Sequence, residues 1–289
     1  MSLNAVYFLA MAHLAPLSRV TATRYVQPLR EGGSLPAVIE TEGGLYVVKF
    51  QGAGQGPRAL VAELIVGLLA PRLDLPVPEL VLVDLPAPFG RSEPDPEIQD
   101  VLRRSHGLNV GLRYLDGAFN FDCTAAAEVV TAAFATRLVW LDALTTNPDR
   151  THRNPNLLVW QRRPWLIDHG AALYAHHDWA SVTPEKARTS FSLIEQHVLL
   201  AHADGLEAAD GALAAAVDDG VIGAILAQVP DELLSGPAYA GDVGPDELRT
   251  RYLEYLGARL QSPRPFLAEA IEARARVLRT PPRAQSARR

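Results

Sequence analysis

The character of the chain changes at Leu115-Asp116-Gly117, and that change constrains the fold more than any other feature. Before it, short runs rich in β-branched and aromatic residues alternate with Gly-containing turns. After it, most apolar patterns have helical period. Arg19–Leu29, Ala37–Glu40 and Leu45–Phe50, separated by Glu31-Gly32-Gly33-Ser34 and Glu42-Gly43-Gly44, read as an antiparallel meander. A Gly-rich loop over 51–57 leads to a helix over 58–73, with Leu60, Val61, Leu64, Ile65, Leu68 and Leu69 on helical spacing. A strand over 79–85, a Pro-rich loop over 86–96, a short helix over 98–104 and a strand over 108–115 complete the region. Beyond it the sequence predicts a long helix over 124–144, a polar Pro-broken loop over 147–156 and strands over 157–160 and 165–168. Helices are then expected over 185–203, 208–218, 221–228, 246–261 and 265–279.

This order predicts an α+β chain with two lobes. Residues 1–116 form a small β-rich lobe with one prominent helix, residues 117–280 a larger helical lobe, and 281–289 a basic tail expected to be disordered. The 289 residues, 48% hydrophobic and 21% charged, supply a sizeable core and exclude bulk disorder. The net charge of -6 argues against a dedicated nucleic-acid binder. Cys123 is the single cysteine, which excludes an intrachain disulfide and a Cys-based zinc cluster and fits a cytoplasmic setting. The apolar run from Ala5 to Ala15 is interrupted by His13 and falls short of the ~20 residues of a membrane span. No Lys or Arg precedes it, as a signal peptide would require.

Of the 27 basic residues only two, Lys49 and Lys186, are lysine. Arginine is the default cation of this chain, so a lysine inside an apolar strand calls for a lysine-specific role. Lys49 ends Leu45-Tyr46-Val47-Val48, on the strand face shared with Leu45 and Val47. A lysine at a buried edge needs a partner, and Glu63 is the acidic residue of the helix that follows. A strand lysine paired with a helix glutamate is how kinases place a cation on nucleotide phosphates.

Asn147-Pro148-Asp149-Arg150-Thr151-His152-Arg153-Asn154 is the densest polar segment. Asp149 and Asn154 have the D-x4-N spacing of a kinase catalytic loop, in which the aspartate orients the attacking hydroxyl and the asparagine binds Mg2+. Asn156 is a second nearby amide, and spacing favours Asn154. Fourteen residues after Asn154, Leu166-Ile167-Asp168-His169-Gly170 places a carboxylate at a strand end, as a second magnesium ligand requires. Taken singly, each group also reads as turn chemistry; order and spacing together carry the kinase reading.

Tyr46-Val47-Val48-Lys49-Phe50, Ala62-Glu63-Leu64, Asn147-x-Asp149-x4-Asn154 and Ile167-Asp168-His169-Gly170 resemble the HipA-like kinases, bacterial serine/threonine kinases of the protein-kinase-like superfamily. The resemblance spans about residues 20–200. It implies a two-lobed kinase fold, ATP and Mg2+, and phosphoryl transfer to a hydroxyl. By that resemblance Asp149 is the catalytic base, Asn154 and Asp168 hold Mg2+, Lys49 holds the phosphates and Glu63 orients it. Arg113-Tyr114-Leu115-Asp116 becomes the hinge, with Tyr114 and Leu115 facing adenine. No G-x-G-x-x-G is present, so Gly32, Gly33 and Ser34 are the expected phosphate loop. His169 stands where many kinases have Phe. The chain enters the meander almost directly, so the extra N-terminal domain of toxin-type members is not expected, which weakens the carry-over of a toxin role or an antitoxin partner and leaves both open.

The acceptor is a protein Ser or Thr hydroxyl on the first reading. Alternatives are a small-molecule hydroxyl kinase, a nucleotide-binding regulatory pseudokinase and, more distantly, a metal-dependent hydrolase. His176 and His177 read as loop surface, His197 and His202 do not share a helical face, and Trp140, Trp160, Trp165 and Trp179 read as core or interface aromatics.

Overall fold

The computed structural model describes residues 15–29, 35–54, 56–87, 89–91, 93–235, 237–239 and 243–279. The expected phosphate loop Gly32-Gly33-Ser34, most of the run from Ala5 to Ala15 and the tail over 281–289 lie outside them.

The chain is a mixed α+β fold. Strands β1 (Ser18–Pro28), β2 (Ala37–Thr41) and β3 (Gly44–Lys49) form the antiparallel meander. Strands β4 (Leu80–Leu85) and β5 (Gly107–Arg113) extend it, and β1 pairs in parallel with β4, closing a five-stranded barrel in the order β1-β2-β3-β5-β4. The closure was not legible in the sequence, because it joins strands some sixty residues apart. Alternation along each strand then sorts side chains between two cores. Ile39, Tyr46, Val48, Val81 and Val83 point inward and meet Ile98, Val101 and Leu102 of helix α2 (Pro96–Arg104). Leu80, Leu82, Leu108, Val110 and Leu112 point outward into a larger core.

Helix α1 (Pro57–Leu69) lies on that outer face. Its apolar residues surround it because α1 is covered on several sides, by the barrel and by helix α5 (Asp219–Leu226). Gly67 permits the approach: a Cβ there would stand 2.6 Å from Leu80 Cδ1. Glu63 is the exception within this buried helix, and it faces Lys49.

The expected helix over 124–144 is interrupted. Thr131 accepts from Phe134 N (3.1 Å) and caps a new helix, α3 (Ala132–Leu144). The expected helix over 185–203 is replaced by a single turn, Pro184–Ala187, and 3-10 turns at Ser192–Gln196 and Leu200–His202. Here tertiary pairing overrides local propensity: Thr151 and His197 form a β-bridge, and Val198 N donates to Arg150 O (3.0 Å). Helices α4 (Leu206–Ala216), α5, α6 (Pro245–Leu260) and α7 (Pro265–Arg279) fall close to their expected spans. Two more strands, β7 (Leu157–Trp160) and β8 (Arg163–Leu166), form a hairpin flanked by the short β6 (Phe119–Asn120). Trp140 is fully buried, with Nε1 donating to Asp210 (2.9 Å), whereas Trp160 and Trp165 stack edge to face on the hairpin. Among the described residues no helix is long and apolar enough to cross a membrane.

Candidate active site

Three of the expected site residues meet directly. Lys49 ends β3 opposite Val110, on the outward face that α1 covers. Its Nζ donates to Glu63 Oε2 (2.7 Å) and to Asp168 Oδ1 (2.6 Å). Burial alone would lower the Lys49 ammonium, but the two carboxylates outweigh it and hold it above its ordinary value. Burial likewise pushes the Asp168 carboxyl up, and the charge and hydrogen bond of Lys49 overcome that and hold it below the usual carboxylate range. Glu63 is completely buried, and its Oε2 also accepts from His169 N (2.7 Å). The α1 helix and the strand end carrying Asp168 are thus joined through one carboxylate oxygen.

The second group forms on the polar loop. Asn147 Nδ2 donates to Asp142 Oδ1 (3.0 Å), and Asn147 Oδ1 accepts from Asp149 N (3.1 Å), so the first asparagine folds the loop back on α3. Asp149 Oδ2 accepts from Asn154 Nδ2 (2.8 Å) and from Asn156 Nδ2 (3.1 Å). Asn154 is exposed; Asn156 is buried, and its carbonyl accepts from Ile167 N (3.1 Å), next to Asp168. Asn156 (φ 49°) and Asp168 (φ 54°) both take the left-handed conformation, which Asn and Asp tolerate better than other side chains. Thr146, at φ 51°, is β-branched and costly there, and it sits immediately before the loop.

Sequence reasoning missed the support beneath this loop. Arg150 and Asp142 are both buried, and Arg150 Nε donates to Asp142 Oδ2 (2.6 Å). The Arg150 guanidinium also donates to Asn156 O and Ile167 O, and its Nη2 lies 3.2 Å from His169 Nδ1. A guanidinium only donates, so His169 Nδ1 accepts and the proton sits on Nε2. His169 is fully buried, and burial, with the charges of Arg150 and Lys49 added, lowers it to about 4. His197 Nδ1 accepts from Leu199 N (3.0 Å), so its Nε2 donates to Asp142 Oδ2 (3.0 Å). Burial pushes the Asp142 carboxyl up, but Arg150 and His197 hold it well below the usual range. One signal was available: Asp142 is the sole acidic residue of the apolar stretch Ala132–Leu144, as Glu63 is of Pro57–Leu69.

The expected hinge residues hydrogen-bond through their backbone. Tyr114 N donates to Leu45 O (3.0 Å) and Leu115 O accepts from Ala118 N (3.1 Å), at the end of the barrel. His176 is a correction, since it is buried and not loop surface: Nδ1 lies 3.0 Å from Tyr252 Oη within an aromatic cluster containing Trp179. The two groups that do assemble offer hard oxygen donors and a buried cation. Among the described residues neither the Asn154 nor the Asn156 amide oxygen accepts a hydrogen bond, and Asp168 presents a carboxylate. That donor set suits Mg2+, which usually takes one or two carboxylates plus phosphate oxygens. Among the same residues no cluster of three or more His, Cys, Asp or Glu is arranged to hold a metal ion by itself.

A barrel-borne lysine tied to a helix glutamate and a strand-end aspartate, above an Asp/Asn loop, is a kinase arrangement. In fold the chain is similar to the Helicobacter pylori proinflammatory kinase CtkA, with a TM-score of 0.54 and 12% identity over 91% of this chain and 98% of that one. At such identity the likeness speaks to fold alone. A family model described as HipA-like kinase matches residues 25–204, more than half of the sequence. The chain belongs to the HipA-like kinase family and is a phosphotransferase of that kind. No curated protein matches it.

Proposed function

We propose that this kinase is two-lobed, with residues 1–116 and 117–280 as its lobes, and transfers the γ-phosphoryl group of ATP to a Ser or Thr hydroxyl of a protein, with Mg2+. The observation that carries the reading is Lys49 Nζ held between Glu63 and Asp168 at 2.7 and 2.6 Å. A buried ammonium held by two carboxylate partners is already desolvated and positioned, so a contact with phosphate oxygens adds no new desolvation cost for it. Asp168 and the Asn154 amide oxygen would hold Mg2+, with Asn156 as the buried alternative to Asn154. The metal, when bound, neutralises charge on the phosphate oxygens.

Asp149 aligns the acceptor hydroxyl and takes its proton as a new P–O bond forms to the hydroxyl oxygen. The bond between the γ-phosphorus and the bridging oxygen breaks, and ADP leaves with that electron pair. The two amides that donate to Asp149 fix its rotamer, which is a positioning contribution. Labelled ATP incubated with the protein and a bacterial extract, with Mg2+ or with chelator, tests the reading. Mg2+-dependent label on a protein band, absent in Asp149→Asn, is the expected result. Label on a metabolite alone, or none, would overturn the protein-kinase assignment.

A further inference from the structure

The second lysine has a place of its own. A cavity of about 550 Å³ opens beside the loop that carries Asp149, and its lining includes Thr146, Pro148, Tyr174, Lys186, Leu193 and Tyr255. Its size falls in the range of sites that bind small molecules or anchor side chains. Thr146 and Pro148 of the lining flank Asn147 at the start of the loop that carries Asp149, while Asp149 itself is not part of the lining.

The wall is built rather than loose. Arg259 is buried and donates to Ala187 O (2.8 Å) and Thr189 O (3.2 Å), while also capping α3 at Ala143 O and Leu144 O (2.9 and 2.6 Å). Arg188 ties the same segment to Ala258 O and Pro263 O (3.3 and 2.9 Å). The segment from 186 to 189 is therefore anchored to α3 and to the end of α6.

Lys186 is the one charged residue lining this cavity, and its ammonium makes no hydrogen bond or ion pair among the described residues. The rest of the lining is hydroxyl-bearing or apolar, and Tyr174 and Leu193 are 68% and 46% exposed. In a chain of net charge -6, a local site of positive sign selects for an anionic occupant. The chain's own C-terminal tail, with Arg283, Arg288 and Arg289, has the wrong sign.

We propose that this cavity is the acceptor site and that Lys186 selects segments of a partner protein in which an acidic side chain lies close to the receiving Ser or Thr. The inference rests on the protein-kinase reading and adds the substrate class to it. A compact ammonium on a flexible stem suits a single carboxylate at variable register better than a guanidinium fork would.

The test uses the full chain and a set of Ser-containing peptides that differ only in Glu, Ala or Lys near the Ser. Binding is read by fluorescence anisotropy, which needs no turnover, and transfer by steady-state kinetics. Glu peptides should bind about three- to fivefold more tightly than Ala peptides, the size of an exposed ion pair. Lys186→Ala should erase that difference by raising KM at unchanged kcat, and Lys186→Glu should favour Lys peptides. Transfer with no dependence on Lys186 overturns the inference and leaves the kinase reading standing. Lys186-dependent binding without transfer overturns the protein-kinase reading and with it the cavity's role as acceptor site, and peptides that neither bind nor react overturn the inference.

Discussion

Removing Asp142 should destabilise the protein more than any single change at the exposed part of the site. Its Oδ2 accepts from Arg150 Nε (2.6 Å) and His197 Nε2 (3.0 Å), and its Oδ1 from Asn147 Nδ2 (3.0 Å). Asp142→Ala leaves the Arg150 guanidinium, 1% exposed, without a carboxylate. Breaking a buried ion pair from one side costs about 3–5 kcal/mol, because the surviving charge stays desolvated. At roughly 2–4 °C per kcal/mol for chains of this size or somewhat smaller, the melting temperature should fall by about 10 °C. The loss should be strongly non-additive: Asp142→Ala combined with Arg150→Met should cost less than the two single losses summed, since the double variant has no orphaned charge. Thermal melts followed by circular dichroism give all three values. A shift under about 2 °C for Asp142→Ala, or plain additivity, would refute the reasoning. The pH dependence has a fixed sign. The folded Asp142 carboxyl is depressed, so its contribution is present above the unfolded value near 4 and is lost as pH falls below it.

Lys49→Arg should abolish transfer while the fold survives, because a planar fork does not replace a compact ammonium between Glu63 and Asp168; near-normal turnover would remove Lys49 from its assigned role. Burial pushes His176 down to about 3 and also lowers His197, so the unfolded chain binds protons first as pH falls below about 6.5. Stability should therefore decline between pH 7 and 5, by up to roughly 1.4 kcal/mol per pH unit for each group, and urea midpoints at the two pH values measure it. Gly111→Val should lower stability by about 1–3 kcal/mol, since even a Cβ there would lie 2.8 Å from Val83 Cγ2 and 3.1 Å from Val81 Cγ2; an unchanged denaturation midpoint would contradict the close packing. ATP and Mg2+ together should raise the melting temperature by more than the sum of their separate effects, and Asp168→Ala should remove that synergy; synergy that persists would place the metal elsewhere.

The parts of this molecule legible in the sequence are those set by short-range pattern. The meander was readable from β-branched runs and Gly turns, α1 from its apolar spacing, and Lys49 from its rarity. The Lys49–Glu63 pair followed because each is the lone charge of its sign in an apolar element, and desolvation demands a partner. Barrel closure was hidden because the β1–β4 pairing is long-range, set by loop closure and not by any local signal. The span from 185 to 203 misled because Phe191, Ile194, Val198 and Leu199 are spaced as a helix would space them, yet the segment pairs with the Asp149 loop at His197 and Val198 and packs on α7 and α3. Arg150 was passed over, and Asn156 ranked behind Asn154, for a related reason: inside a polar loop, buried and exposed side chains look alike in sequence.

His169 shows why the two halves of the site act as one structure. Its backbone N–H donates to Glu63 Oε2 (2.7 Å), and its ring accepts from Arg150 Nη2 (3.2 Å). The chain of contacts therefore runs from Lys49 through Glu63 and His169 to Arg150 and Asp142, and so to Asn147 and the backbone of Asp149. Each inner member is buried, so none can leave its partner without exposing an unpaired polar group at a cost of about 1–3 kcal/mol or more. A phenylalanine at this position would supply volume but no acceptor for Arg150. The histidine does both only while neutral, and burial among cations keeps it neutral at cellular pH. The position of α1, which sets Lys49 through Glu63, is thereby coupled to the loop that carries Asp149, and a shift of that helix strains both ends of the site at once.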